Sequence, residues 1–103
     1  MKSAVLKLTL AAALTSAAFS SAIAAPKELW SLDGFMNPES VYADGAGGYY
    51  VSNVNGAPTD KDGNGFISKV SAYGKMETLK WIEGMNAPKG MVMNGGKLYV
   101  SDI

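Results

Sequence analysis

Asp60, Asp62, Asn64, Gly65, Ile67 and Ser68 fall at positions 1, 3, 5, 6, 8 and 9 of a calcium-loop pattern. In such a loop alternate side chains turn their oxygens onto one hard cation. Position 12, which should be a bidentate glutamate, is Ser71, so two oxygens and one charge are missing. Pro58 stands just before the stretch and strand-like alternation follows it, so no flanking helices are expected. The plainer reading is a polar loop in which Asp60, Asp62 and Asn64 cap their own turns; a weak calcium site is the alternative. Met36, Met85, Met91 and Met93 are soft donors of the kind that hold copper in exported proteins. The chain has no histidine and no cysteine to stand beside them, so core packing is expected instead. Without His or Cys there is no imidazole base and no thiolate, and no serine sits in a nucleophile elbow. No catalytic residue is assigned.

The elements that must carry these residues read as short strands. Leu29-Trp30-Ser31-Leu32-Asp33-Gly34-Phe35-Met36-Asn37-Pro38 is echoed 50 positions later by Leu79-Lys80-Trp81-Ile82-Glu83-Gly84-Met85-Asn86-Ala87-Pro88. Asp44-Gly45 returns as Asn94-Gly95, and Tyr50-Val51-Ser52-Asn53 returns as Tyr99-Val100-Ser101-Asp102 at an offset of 49, one residue having been lost from the turn. Strands are expected over 28–32, 40–43, 49–52, 66–71, 77–83, 89–93 and 98–101, with turn residues between them. The alternation of Phe66, Ser68 and Val70 against Ile67, Lys69 and Ser71 suits a strand covered on both faces. Asn94-Gly95 before a β-rich run marks a hairpin. Trp30, Trp81, Tyr49 and Tyr50 read as packing between repeat units. Short strands repeated at this period predict an all-β fold, a β-propeller whose blades are four antiparallel strands each.

The first residues stand apart. Lys2 and Lys7 precede an apolar run from Leu8 to Phe19, and Ala22-Ile23-Ala24 supplies the small-x-small pattern of a signal-peptidase site. Residues 1–24 are expected to be a signal peptide cut after Ala24, making the protein periplasmic or secreted. The run is shorter than the roughly 20 apolar residues of a membrane span, so no stable membrane anchor is expected after cleavage. Beyond Ala24, nine acidic residues face seven lysines and no arginine, which is no footprint for nucleic acid. No cysteine is available for a disulfide staple, and so small a domain is marginal by itself. Stability is therefore expected to come from more chain or from a partner. The division is 25–103 as a partial propeller: 25–37 the closing strand of the last blade, 38–87 the first blade, 88–103 the start of the second.

Asn37-Pro38-Glu39-Ser40-Val41, Tyr50-Val51-Ser52-Asn53, Asp60-Lys61-Asp62-Gly63-Asn64-Gly65-Phe66-Ile67 and Ala87-Pro88-Lys89-Gly90-Met91 together give the mature chain a family likeness. It resembles the exported branch of the six-bladed propellers related to gluconolactonase and regucalcin, the senescence-marker and strictosidine-synthase-like superfamily. The resemblance implies about one and a half blades of six, an N-terminal fragment of a protein near ~300 residues. It implies a metal-assisted lactone or ester hydrolase when complete, inactive as this fragment. A glutamate near the start of the first inner strand binds a divalent cation, calcium or another, in those enzymes. Glu39-Ser40-Val41-Tyr42-Ala43-Asp44 follows that pattern, with the proline before Glu39 rather than after Ser40. Glu39 is thus the metal ligand that the resemblance implies, and its asparagine and aspartate co-ligands would lie beyond Ile103. The alternative is a non-catalytic propeller that binds a small molecule or a partner protein through its loops.

Overall fold

In the computed structural model, which describes residues 24–103, the chain is all-β, with six antiparallel strands in two sheets and no helix among the described residues. Four strands run in order as a meander: β1 (Pro38–Ala43), β2 (Tyr49–Asn53), β3 (Gly65–Val70) and β4 (Met76–Met85). The remaining two, β5 (Met91–Asn94) and β6 (Lys97–Val100), form a separate hairpin.

The side-chain alternation of β3 explains why it lies inside the meander. Phe66 and Ile67 are neighbours in sequence and so face opposite sides of the sheet, yet they are 1% and 0% exposed. Both faces are covered at this strand, as the alternation from Phe66 predicts. Register places Val51 across from Val41 and Ser68, and Tyr49 across from Ala43 and Val70. These residues form one face, over which Trp30, Leu32 and Phe35 line an open pocket of about 320 Å³ with Val41, Val51 and Val70. On the opposite face Trp81 of β4 stacks on Tyr50 at 5.0 Å between ring centroids, with the Lys69 ammonium 5.4 Å from the indole.

β4 is much longer than its partner because register shifts between Gly65/Ile67, Ile67/Lys69 and Lys69/Val70 let ten residues pass alongside six. Bulges of this kind, together with Glu77, Lys80 and Glu83, make the outer edge of β4 a poor template for another strand. At the opposite edge of the meander, β5 approaches β1. The connection between the sheets runs close over Gly65. A Cβ there would stand 2.3 Å from Pro88 Cδ and 2.8 Å from the Asn86 carbonyl oxygen, so only glycine admits the crossing. Ala87 and Pro88 are consequently buried.

Three expectations compare differently with the structure. Residues 28–32 form no strand: residues 24–37 have no regular secondary structure, and Trp30 instead meets Tyr49 edge-on at 5.6 Å. A β-rich sequence becomes strand only where its backbone groups find a ladder partner, and none of the described strands pairs with this segment. Of the four aromatic residues, Tyr50 and Trp81 stack within one sheet, while Trp30 of the leading segment packs against Tyr49 of β2. The methionines are less buried than core packing requires: Met36 is 47% exposed, and Met85, Met91 and Met93 are half-buried.

Candidate functional site

The strongest local feature is a pair of matching polar clamps, one in each repeat. In the first, Asn53 at the end of β2 accepts a hydrogen bond from the Met36 backbone N–H on its Oδ1 (2.9 Å). In the second, Asp102 accepts from the N–H groups of Asn86 (2.9 Å) and Ala87 (2.7 Å). Met36 and Asn86 are equivalent positions, each two residues before the proline that opens its unit. Beside each clamp a serine repeats as well. Ser52 Oγ donates to the Ser40 carbonyl at 3.4 Å, and Ser101 Oγ donates to the equivalent Gly90 carbonyl at 3.1 Å. The repeated Tyr-Val-Ser-Asx sequence is therefore the part of each hairpin that holds the incoming chain.

In the first repeat this polar chain continues across the sheet. Asn53 Nδ2 donates to Ser68 Oγ at 2.9 Å and to the Val51 carbonyl at 3.1 Å, while Ser68 Oγ donates to the Leu79 carbonyl at 2.5 Å. Asn53, Ser52 and Ser68 are all 0% exposed, so each hydrogen bond replaces one that water cannot supply. Neither Asn53 nor Ser68 was singled out as functional from the sequence, although the Tyr-Val-Ser-Asx repeat was the available signal.

Glu39 sits where β1 begins and is exposed. Pairing jumps from Pro38↔Asn53 to Ser40↔Ser52, so Glu39 is the extra residue of a β-bulge, a feature that re-aims a side chain. The Ser40 hydroxyl donates to its carboxylate. Lys89, the equivalent residue in the second unit, instead donates from Nζ to the Pro58 carbonyl at 2.7 Å and the Ala87 carbonyl at 2.9 Å. Glu39 thus presents an exposed acid bonded to its neighbouring serine, while Lys89 ties the long loop of the first repeat to the linker.

That loop, residues 54–64, places Asp60, Asp62 and Asn64 at the surface. Asp60 Oδ2 accepts from Ala57 N–H at 3.0 Å, and Asp62 Oδ1 accepts from Asn64 N–H at 3.0 Å. The two aspartates cap turns of their own loop. Asn55, in the left-handed region at φ 50°, donates from Nδ2 to the Asn64 carbonyl and closes the loop's neck. Gly65–Val70 is extended, so Ser71 stands roughly 20 Å along from Gly65 at about 3.3 Å per residue. The calcium-type spacing is therefore divided between a loop and a strand. Ser71 itself caps the β3–β4 turn, accepting from Tyr73 and Lys75 N–H.

A calcium ion takes 6 to 8 oxygens, of which Glu39 brings two. Among the described residues no group of three or more His, Cys, Asp or Glu side chains gathers around a common point. The residues described here do not by themselves fit the cation that the family resemblance implies. The carboxyl of Asp102 has a displaced titration. Burial works to raise it, but the N–H donors of Asn86, Ala87 and Ile103 and the charge of Lys89 outweigh that and hold it below its ordinary value.

No protein-family model matches the chain, and no curated protein or solved structure matches it.

Proposed function

We propose that this chain is a segment of an exported β-propeller of the lactonase-like kind, competent for metal-assisted lactone or ester hydrolysis only within a complete ring. The observation that carries the reading is the clamp repeated in the two units, Asn53 holding Met36 and Asp102 holding Asn86, beside a complete four-stranded meander. Units joined by the same backbone contacts extend into solenoids or rings, because each hairpin offers its neighbour the same surface. Glu39 supports the hydrolase assignment. It is the only acid on β1, and the bulge frees it from the sheet's own hydrogen bonding. In this reading it is one ligand of a divalent cation whose other donors come from further blades.

The test combines the mass of the native product with an activity measurement. A native product near ~30 kDa is expected, about six units of 50 residues. That product should hydrolyse a lactone only with a divalent cation, and Glu39→Gln should reduce the rate by at least about 100-fold, as loss of a metal-holding carboxylate does. The 103-residue chain alone should show no hydrolysis above background. Full activity of the Glu39→Gln protein, or none in a complete native product, would leave a ligand-binding propeller as the better account.

A further inference from the structure

Three asparagines stand directly before a glycine: Asn55-Gly56, Asn64-Gly65 and Asn94-Gly95. Such a pair is chemically weak, because glycine has no side chain to keep its backbone nitrogen from the asparagine side-chain carbonyl. The fold treats the three differently. At Asn55-Gly56 both reacting groups are engaged: Asn55 Nδ2 donates to the Asn64 carbonyl at 3.1 Å, and Gly56 N–H donates to Asn37 Oδ1 at 3.2 Å. At Asn64-Gly65 the glycine is buried under the linker, where a Cβ would stand 2.3 Å from Pro88 Cδ and 2.8 Å from the Asn86 carbonyl oxygen. The Asn64 carbonyl is held by Asn55 as well. The peptide plane between Asn64 and Gly65 therefore turns only by lifting the linker and opening the neck of the loop.

Asn94-Gly95 has neither restraint. Asn94 is exposed at the end of β5, and among the described residues neither its side-chain amide nor the Gly95 N–H has a hydrogen-bond partner. Gly95 and Gly96 both have positive φ, and a Cβ at Gly95 would meet nothing within 4 Å. The exposure of this turn is a property of the repeat. In the first unit, where β3 and β4 lie beside β2, the matching turn residues Gly45, Ala46 and Gly47 are exposed too.

We propose that the fold leaves Asn94-Gly95, alone of the three, as a self-modification site. The Gly95 nitrogen gives its proton to water or hydroxide and attacks Asn94 Cγ. A C–N bond forms, the Cγ–Nδ2 bond breaks, and the amide leaves as ammonia after taking up a proton. Water then opens the cyclic imide at either carbonyl, with no change of oxidation state. One opening yields aspartate; the other yields isoaspartate, in which the main chain runs through the former side chain. The aspartate reproduces Asp44, the residue at the equivalent position of the first unit, which caps its turn by accepting from Ala46 and Gly48 N–H. The isoaspartate lengthens the chain at the Asn94↔Lys97 rung and disturbs the β5–β6 register. Either product adds a negative charge at the turn. This inference stands on hydrogen bonding and space at three dipeptides and does not depend on the hydrolase reading.

The experiment incubates the full folded chain in mildly alkaline buffer and follows each asparagine by peptide mapping and mass spectrometry. Asn94 should convert at least about tenfold faster than Asn55 and Asn64, the margin given by one or two hydrogen bonds that must open first. In denaturant the three should convert at similar rates, since only the fold distinguishes them. Asn37→Gly keeps the positive-φ backbone (φ 52°) and removes the acceptor of Gly56 N–H, so it should speed Asn55 and leave Asn94 unchanged. Conversion of Asn94 no faster than that of Asn55 and Asn64 in the folded chain would overturn the proposal. So would the same preference for Asn94 in denaturant, because the selection would then lie in the local sequence and not in the fold.

Discussion

Asn53 and Asp102 occupy equivalent positions, but burial separates what each tolerates. Asn53 is fully buried and uses both ends of its amide, accepting from Met36 and donating to Ser68 and Val51. Asn53→Ala should cost about 1–3 kcal/mol, the range for leaving buried polar partners unsatisfied. Asn53→Asp should cost more, because a carboxylate oxygen would replace the Nδ2 donor 3.1 Å from the Val51 carbonyl in a site without water. Chemical denaturation of both variants orders them, and an Asn53→Asp protein as stable as the parent would refute the buried clamp. Asp102 is exposed and accepts on both carboxylate oxygens, so Asp102→Asn sets an amide NH2 against one of these N–H donors, a loss that exposure to water keeps small at neutral pH.

The titration of Asp102 has a defined sign. Its carboxyl lies below the ordinary value of 3.8, so the folded second clamp favours the ionised form. The stability it contributes is present above the unfolded value and is lost as pH falls through the lower folded value. Melting profiles between about pH 6 and pH 3 should therefore show an acid-side loss that is smaller in Asp102→Asn, since an amide has nothing to protonate over that range. Identical pH profiles for the two proteins would remove Asp102 as a contributor.

Among the elements, β3 and the linker above it decide how the two sheets meet. Gly65 begins β3 directly beneath Asn86 and Pro88. Gly65→Ala must push the linker away from backbone atoms that have little room to yield, so a loss of about 1–3 kcal/mol is expected, typical of overpacking. Its NMR shifts should move at Ala87 and Lys89 as well as near residue 65. Disturbance confined to β3 would mean that the crossing is looser than described. The β5–β6 turn contrasts with the β1–β2 turn. Gly95 and Gly96 both have positive φ, 58° and 75°, the requirement of a two-residue hairpin matched to strand twist. In the first repeat Asp44 caps a longer turn by accepting from Ala46 and Gly48 N–H. That difference is the residue lost between the repeats.

For the whole molecule, one completed sheet and one open hairpin imply uneven stability. Phe66, Ile67 and Val70 are 0–2% exposed, whereas Val92 and Tyr99 of the second unit are about half exposed. Hydrogen exchange should report this as slow amides in β2 and β3 and fast ones in β5 and β6, because local opening follows buried contact. The chain should melt broadly or self-associate. A sharp, monomeric, cooperative melt would count against a repeat unit that depends on neighbours.

The strand pattern was legible because it is written in local chemistry. Alternation at Phe66–Val70, Asn-Gly at 94–95 and the displaced copy of Tyr-Val-Ser-Asx each locate an element without knowledge of its partner. All six strands lie within a few residues of the spans they predict. The segment 28–32 was not legible in this way, since its residues suit a strand and only the absence of a described ladder partner leaves it unpaired. The calcium-type spacing of Asp60, Asp62 and Asn64 also matched in one dimension, while β3 carries Ser71 away from it in three. Sequence by itself determined the β class and the repeated Tyr-Val-Ser-Asx segment, because these follow from backbone preference and side-chain alternation. Tertiary structure alone decided which clamp is buried, that Tyr50 is covered while Tyr99 is open, and that Glu39 stands exposed on a bulge. Those properties depend on what packs against each residue, and similar local sequences receive different neighbours.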